Sequence, residues 1–189
     1  QLADVTRAFY PDWDEAAYQD CLRRFSLDEN KRVSELSEGM KVKFQLALAL
    51  SHRAELLILD EPTSGLDPVS RDDLLELFLT LSERGTAILF STHITSDLEK
   101  CADTITYLQN GRVRLAGARE DILAQWRVVT GEASQRTAAL DAAMTGCREH
   151  RGEFEGLVRA QDAKIAAGCS VRPATLEELM VFLEREAEA

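Results

Sequence analysis

Several protein classes are excluded by what this sequence holds little of. Its four cysteines, Cys21, Cys101, Cys147 and Cys169, lie tens of residues apart with no C-x-x-C pair. That spacing fits neither a zinc site nor a dense disulfide framework, and four reduced thiols are expected. No window reaches the roughly 18 apolar residues that a membrane span requires. The longest apolar runs, 46–50 and 56–59, are cut short by polar side chains. Positive charge is also scarce. Against 33 Asp and Glu stand 22 Lys and Arg, a formal net charge of -11. The bulk field therefore repels phosphate backbones and anionic membrane surfaces, and a nucleic-acid partner is not expected. There is no internal repeat and no low-complexity tract. The chain opens at Gln1 with no basic segment leading into an apolar run, so no export signal is expected and the cytoplasm is the expected location. Contact with a membrane would come through a partner.

What is present is ordinary globular material: 189 residues, 45% hydrophobic and 29% charged, enough to bury a core. Asp14 precedes Ala16, Ala17, Tyr18, Cys21, Leu22 and Phe25 at helical spacing, predicting a helix over 14–25. After a polar connector over 26–35, Ser37 stands before a second periodic run through Met40, Phe44, Leu46, Ala47, Leu48 and Leu50. Leu56-Leu57-Ile58-Leu59 then ends in Asp60-Glu61-Pro62, the pattern of a strand covered on both faces of a parallel sheet. Asp67 can cap and Pro68 open a helix that Gly85 closes, and a second buried strand follows over 86–90. Strand, helix and strand thus alternate as in an open α/β sheet, with Ser91-Thr92-His93 at the second carboxyl end. A helix over 94–101 and a hairpin about Asn110-Gly111 complete this region. From about Trp126 the texture changes to a strand over 126–129, an Ala-rich helix over 138–144, a strand over 154–158 and a closing amphipathic helix over 176–185.

Four local features carry chemistry. The first is Asp60-Glu61, two carboxylates delivered to the sheet edge where α/β proteins bind ligands. Adjacent strand positions point oppositely, so Asp60 can face a hydrated magnesium ion while Glu61 reaches a water molecule. The second lies twenty-four positions upstream, in Leu36-Ser37-Glu38-Gly39-Met40. There a helix start offers a hydroxyl, free N–H groups and the positive end of a helix dipole to a phosphate. The third is Ser64-Gly65-Leu66-Asp67 and the fourth His93, whose imidazole can meet a γ-phosphate or the attacking water. Taken singly, each also has a plain structural reading: an acidic turn, a helix cap, a second cap, a loop histidine.

In order and spacing the four resemble the signature motif, Walker B with its glutamate, D-loop and H-loop of the ATP-binding cassette (ABC) ATPases. The resemblance runs over about 11–117. It implies a partial P-loop NTPase α/β fold: a helical signature subdomain over 1–53, the carboxyl-terminal part of a RecA-like ATPase core over 54–124, and an appended α/β lobe over 125–189. It also implies ATP and Mg2+ as ligands. Ser37 and Gly39 would be signature contacts to a nucleotide held by a second ATP-binding subunit, with Asp60 on the magnesium side. Glu61 would be the general base, Asp67 the inter-subunit acid and His93 the switch histidine. The stretch Phe9-Tyr10-Pro11-Asp12-Trp13-Asp14, with Glu38 and Met40 in the signature, is similar to subunits of ABC-2 type exporters, as is Ala174-Thr175-Leu176-Glu177-Glu178-Leu179. The implied partners are a second such subunit in a head-to-tail dimer and an integral membrane permease.

One expected motif is missing. A complete ATPase of this kind needs G-x-x-x-x-G-K-[ST], yet none of Lys31, Lys41, Lys43, Lys100 and Lys164 follows a glycine. The chain is therefore expected to correspond to the carboxyl-terminal two thirds of a nucleotide-binding subunit, as a fragment or as a half-protein completed in trans. By itself it is expected to be inactive. Two rival readings stand beside this one: a soluble ABC ATPase acting on ribosomes or DNA, and a non-enzymatic regulatory module built on the lobe.

Overall fold

The computed structural model describes residues 2–188; Gln1, on which the expectation about the start of the chain rests, lies outside them. The chain divides into two compact units, one ending at Ile94 and one beginning at Thr95.

The first unit contains α1 (Leu2–Phe9), α2 (Glu15–Arg24), α3 (Glu38–Leu50), β1 (Leu56–Asp60), α4 (Pro68–Glu83) and β2 (Ala87–Ser91). Helices α2, α3 and α4 start where side-chain oxygens meet free amides. Asp14 accepts from Ala17 N–H, Ser37 from Met40 N–H, and Asp67 from Val69 and Ser70 N–H. Tyr18 and Leu22 of α2 pack with Ala47 and Leu48 of α3 and Ala3 of α1. In α4, Leu74, Leu75, Leu77, Phe78 and Leu81 are buried. Gly85 follows at φ 93, a left-handed conformation that lets the chain turn out of the helix.

β1 and β2 pair in parallel, with Leu57 opposite Ile88, Leu59 opposite Phe90 and Asp60 opposite Ser91. The strands were expected to be covered on both faces, and they are not. Leu57 is 4% exposed on the inner face, whereas Leu56, Ile58 and Leu89 on the other are 52%, 71% and 61% exposed. The reason is that this sheet has two strands among the described residues, and α4 meets it on the inner side, where Phe78 packs against Phe90.

The second unit holds α5 (Thr95–Cys101), β3 (Thr104–Gln109), β4 (Arg112–Ala118), α6 (Arg119–Ala124), β5 (Trp126–Glu132), α7 (Ala138–Ala143), β6 (Met144–His150), β7 (Glu153–Arg159), β8 (Ser170–Pro173) and α8 (Leu176–Glu188). β3 and β4 form the expected hairpin, and Asn110 and Gly111 both take positive φ, as a tight two-residue turn requires. The other four strands form an antiparallel sheet in the order β6-β7-β5-β8. Val128 and Leu157 pack on one side with Leu176, Leu179 and Phe182 of α8. Val129, Phe154 and Val158 pack on the other with Leu140 of α7. Helices α1 and α6 and strands β6 and β8 were not expected from the sequence. All four cysteines are free.

Candidate functional site

The acidic end of β1 is assembled by its pairing with β2. Asp60 is the last strand residue, and Glu61 leaves the strand in the left-handed region at φ 46. Two bonds hold Glu61 N–H, to the Ser91 carbonyl at 3.1 Å and to Ser91 Oγ at 3.2 Å. Its own carbonyl accepts from Ser64 N–H at 3.1 Å. Ser91 Oγ in turn donates to Asp60 Oδ1 at 2.5 Å. Turned out of the strand direction, the Glu61 side chain reaches the end of β2, where Oε1 lies 2.9 Å from His93 Nδ1. Glu61 Oε2 is buried and has no donor among the described residues, while the imidazole is 73% exposed. Asp60, Glu61 and His93 therefore form one cluster, and Ser91, to which the sequence assigned no role, joins its members.

The helix-tip residues make contacts of their own. Ser37 caps α3, and its hydroxyl accepts from Met40 N–H at 3.3 Å. A Cβ at Gly39 would sit 3.2 Å from Leu66 Cδ2 and 4.0 Å from the Ser70 side chain. The absent side chain thus lets the segment leading into α4 lie against the tip of α3. Asp67 accepts from Val69 and Ser70 N–H at 3.1 and 3.0 Å. Hydrogen bonds from the Ser70 side chain and amide hold its carboxyl below the usual carboxylate value. Among the described residues no hydrogen bond joins Ser37, Gly39 or Asp67 to Asp60, Glu61 or His93.

The donor set is all oxygen, which suits a hard divalent cation such as magnesium. No group of three or more His, Cys, Asp and Glu that could cage a metal occurs among the described residues. Mg2+ asks for less: one or two carboxylates, with substrate phosphates and waters completing its shell. Asp60, exposed at a strand end with one oxygen already oriented by Ser91, meets that requirement.

The likeness to known proteins falls on this unit and extends past it. A family model described as "AAA domain, putative AbiEii toxin, Type IV TA system" matches residues 4–96, the stretch holding all six expected site residues. The ABC transporter ATP-binding protein YtrB of Bacillus subtilis is 37% identical over 111 residues, 58% of this chain and 38% of that protein. An uncharacterised ABC transporter ATP-binding protein of Alkalihalophilus pseudofirmus is 33% identical over 183 residues, 89% of this chain and 68% of its own length. A solved structure titled "Structure of ATP binding subunit of ABC transporter" superposes with a TM-score of 0.57 at 34% identity, covering 65% of this chain and 53% of that one. The fold is that of part of a P-loop NTPase of the ABC ATPase type. The chain belongs to the family of ABC transporter ATP-binding proteins. It spans little more than a third of YtrB.

Proposed function

We propose that these residues supply the carboxyl-terminal half of an ATP-hydrolysing site in an ABC exporter. The observation that supports this most directly is the convergence of Asp60, Glu61 and His93 at the carboxyl ends of two paired parallel strands, with Glu61 Oε2 buried and lacking a donor. Oε2 is closed to water in this arrangement, but the Glu61 side chain is 37% exposed, and a turn of the carboxylate presents an unclaimed oxygen to an attacking water. Glu61 orients that water and takes its proton, while His93 donates Nδ1–H to the other Glu61 oxygen and leaves Nε2 on its exposed edge to meet a γ-phosphate, as a donor when the ring carries both protons. Asp60 would hold Mg2+, which when bound neutralises charge developing on the phosphoryl oxygens. Positioning and electrostatics, rather than covalent chemistry, carry such a reaction.

Ser37 and Gly39 face a different task in this reading. They contact the nucleotide of a second, head-to-tail ATP-binding subunit, with Asp67 at the same junction, which accords with their making no hydrogen bond to the acid cluster among the described residues. Among the described residues no helix is long and apolar enough to cross a membrane. Transport is accordingly assigned to a permease partner, with the chain peripheral on the cytoplasmic face. The family gives no support to the ribosome- or DNA-directed reading, and the net charge of -11 opposes it.

The 189 residues contain no phosphate loop, so the purified chain is expected to show negligible ATP turnover. Turnover abolished by Glu61→Gln in this chain alone would overturn that expectation. Where a polypeptide carries a G-x-x-x-x-G-K-[ST] loop ahead of these residues, Glu61→Gln should lower turnover by roughly 10²–10⁴, the range for loss of a general base. Unchanged turnover there would remove Glu61 from the mechanism.

A further inference from the structure

Ser91 sits at the centre of the acid cluster, and the family resemblance gives it no part. We propose that Ser91 is a positioning residue whose single hydroxyl sets both the Asp60 carboxylate and the backbone turn at Glu61. This rests on the reading of Asp60 and Glu61 as the working acids.

The chemistry of the three groups fixes who donates. An ionised carboxylate only accepts, a backbone amide only donates, and a hydroxyl has one proton and two lone pairs. Ser91 Oγ therefore gives its proton to Asp60 Oδ1 at 2.5 Å and takes the Glu61 N–H at 3.2 Å. One oxygen thus serves the metal-side acid and the base together. The register makes this possible: Asp60 and Ser91 are partners in the parallel ladder, so their side chains share the outer face of the sheet.

The turn at Glu61 needs such support. A residue with a Cβ is strained in the left-handed region, and Glu61 stands there at φ 46. Extended backbone would instead send its side chain to the inner face, beside Leu57 and Leu59, since strand positions alternate. Two anchors on its N–H, both from Ser91, and one on its carbonyl, from Ser64, oppose that outcome. The turn is what brings the carboxylate to His93.

The test is nuclear magnetic resonance on the 189-residue chain with Ser91→Ala and Ser91→Thr. In the alanine variant the Glu61 amide should exchange with solvent about fivefold faster, the effect of one hydrogen bond. Asp60 should pass from one χ1 rotamer to averaging, and the His93 ring nitrogens should shift toward the values of free histidine. Amides of Leu57 and Leu89, deeper in the ladder, should keep their exchange rates. Threonine, which keeps the hydroxyl, should restore all three signals. An alanine variant matching the unmodified chain at Glu61, Asp60 and His93 would overturn the proposal. So would threonine behaving as alanine does, or exchange rising equally along both strands. If the alanine variant does not fold, the unmodified chain decides: the Ser91 hydroxyl proton should give an Overhauser contact to the Glu61 amide, and its absence counts against the assignment. Failure of the Glu61→Gln turnover test with these contacts intact would remove the hydrolytic reading and leave Ser91 setting an acid pair of other use. Loss of the contacts with turnover still dependent on Glu61 would do the reverse.

Discussion

The two units solve the problem of burying a sheet in different ways. In the second, a four-stranded antiparallel sheet is packed on both sides, with Val128 and Leu157 toward α8 and Val129, Phe154 and Val158 toward α7. In the first, a two-stranded sheet is covered by α4 on its inner face and leaves Leu56, Ile58 and Leu89 exposed. Yet every residue of the candidate site belongs to the first unit. The chemistry proposed here sits at the end of the less protected sheet, whereas the closed sheet carries ion pairs and packing. The six candidate residues need only strand ends and helix tips, which β1, β2, α3 and α4 provide without a finished core.

The largest effects that would break this comparison lie in the second unit. Gly146 of β6 stands at φ 68, and a Cβ there would collide with the Phe182 backbone oxygen. Gly146→Ala should cost about 3 kcal/mol or more, from backbone strain and overpacking together. Gly39→Ala in the first unit should be close to neutral. Its φ is not positive, its neighbour Leu66 Cδ2 is the movable end of a side chain, and alanine favours the helix. Each unit has its own reporter, Trp13 in the first and Trp126 in the second, so denaturant titration followed by fluorescence of single-tryptophan variants reads both. Equal losses from the two substitutions would end the contrast. Leu157→Ala should cost about 3 kcal/mol at a fully buried site, against less than about 1 kcal/mol for Ile58→Ala at an exposed one.

A smaller effect separates the units by pH. Arg172 hydrogen-bonds Glu178 at 2.8 and 2.5 Å, and with Thr175 it holds the Glu178 carboxyl down at about 2, against an ordinary value of 4.5. A depressed folded-state value adds stability above the unfolded one, and that stability is lost as the carboxylate is protonated. The second unit should therefore lose about 2 kcal/mol between pH 4.5 and pH 2, after discounting for partial exposure. Arg172→Met should flatten that dependence at the Trp126 reporter. An unchanged acid profile in the variant would mean that Arg172 does not hold Glu178 in solution.

Much of the site was legible because its signals are local. A serine, an aspartate and a proline at helix starts, an Asn-Gly turn and an apolar run ending in two acids each act within a few residues. That is why Ser37, Asp67, Pro68 and the strand end at Asp60 fall where the spacing puts them. The role of Ser91 was not legible, since it depends on which residue of β2 pairs with Asp60, a register no local signal sets. Nor was the approach of Leu66 to Gly39, which follows from how α3 and α4 pack. The missed strands have physical reasons as well. β6 is broken by a register shift at Gly146 and carries charge at its end. β8 has four residues, all exposed, at a sheet edge. Neither shows the apolar alternation that reveals a half-buried strand.

The smallest effect on stability is paired with a large one on assembly. Leu56, Ile58 and Leu89 form an apolar strip on the outer face of β1 and β2, and among the described residues each strand has one unpaired edge. An exposed apolar face beside open edges favours pairing with another copy. The chain should therefore self-associate as its concentration rises. Replacing Ile58 and Leu89 by lysine should suppress this while moving the Trp13 transition by no more than about 0.5 kcal/mol, since both side chains already face solvent. Light scattering over a wide concentration range measures it. A chain that stays monomeric throughout would show that the strip is tolerated as ordinary surface, and the contrast between an open and a closed sheet would then have no consequence for assembly.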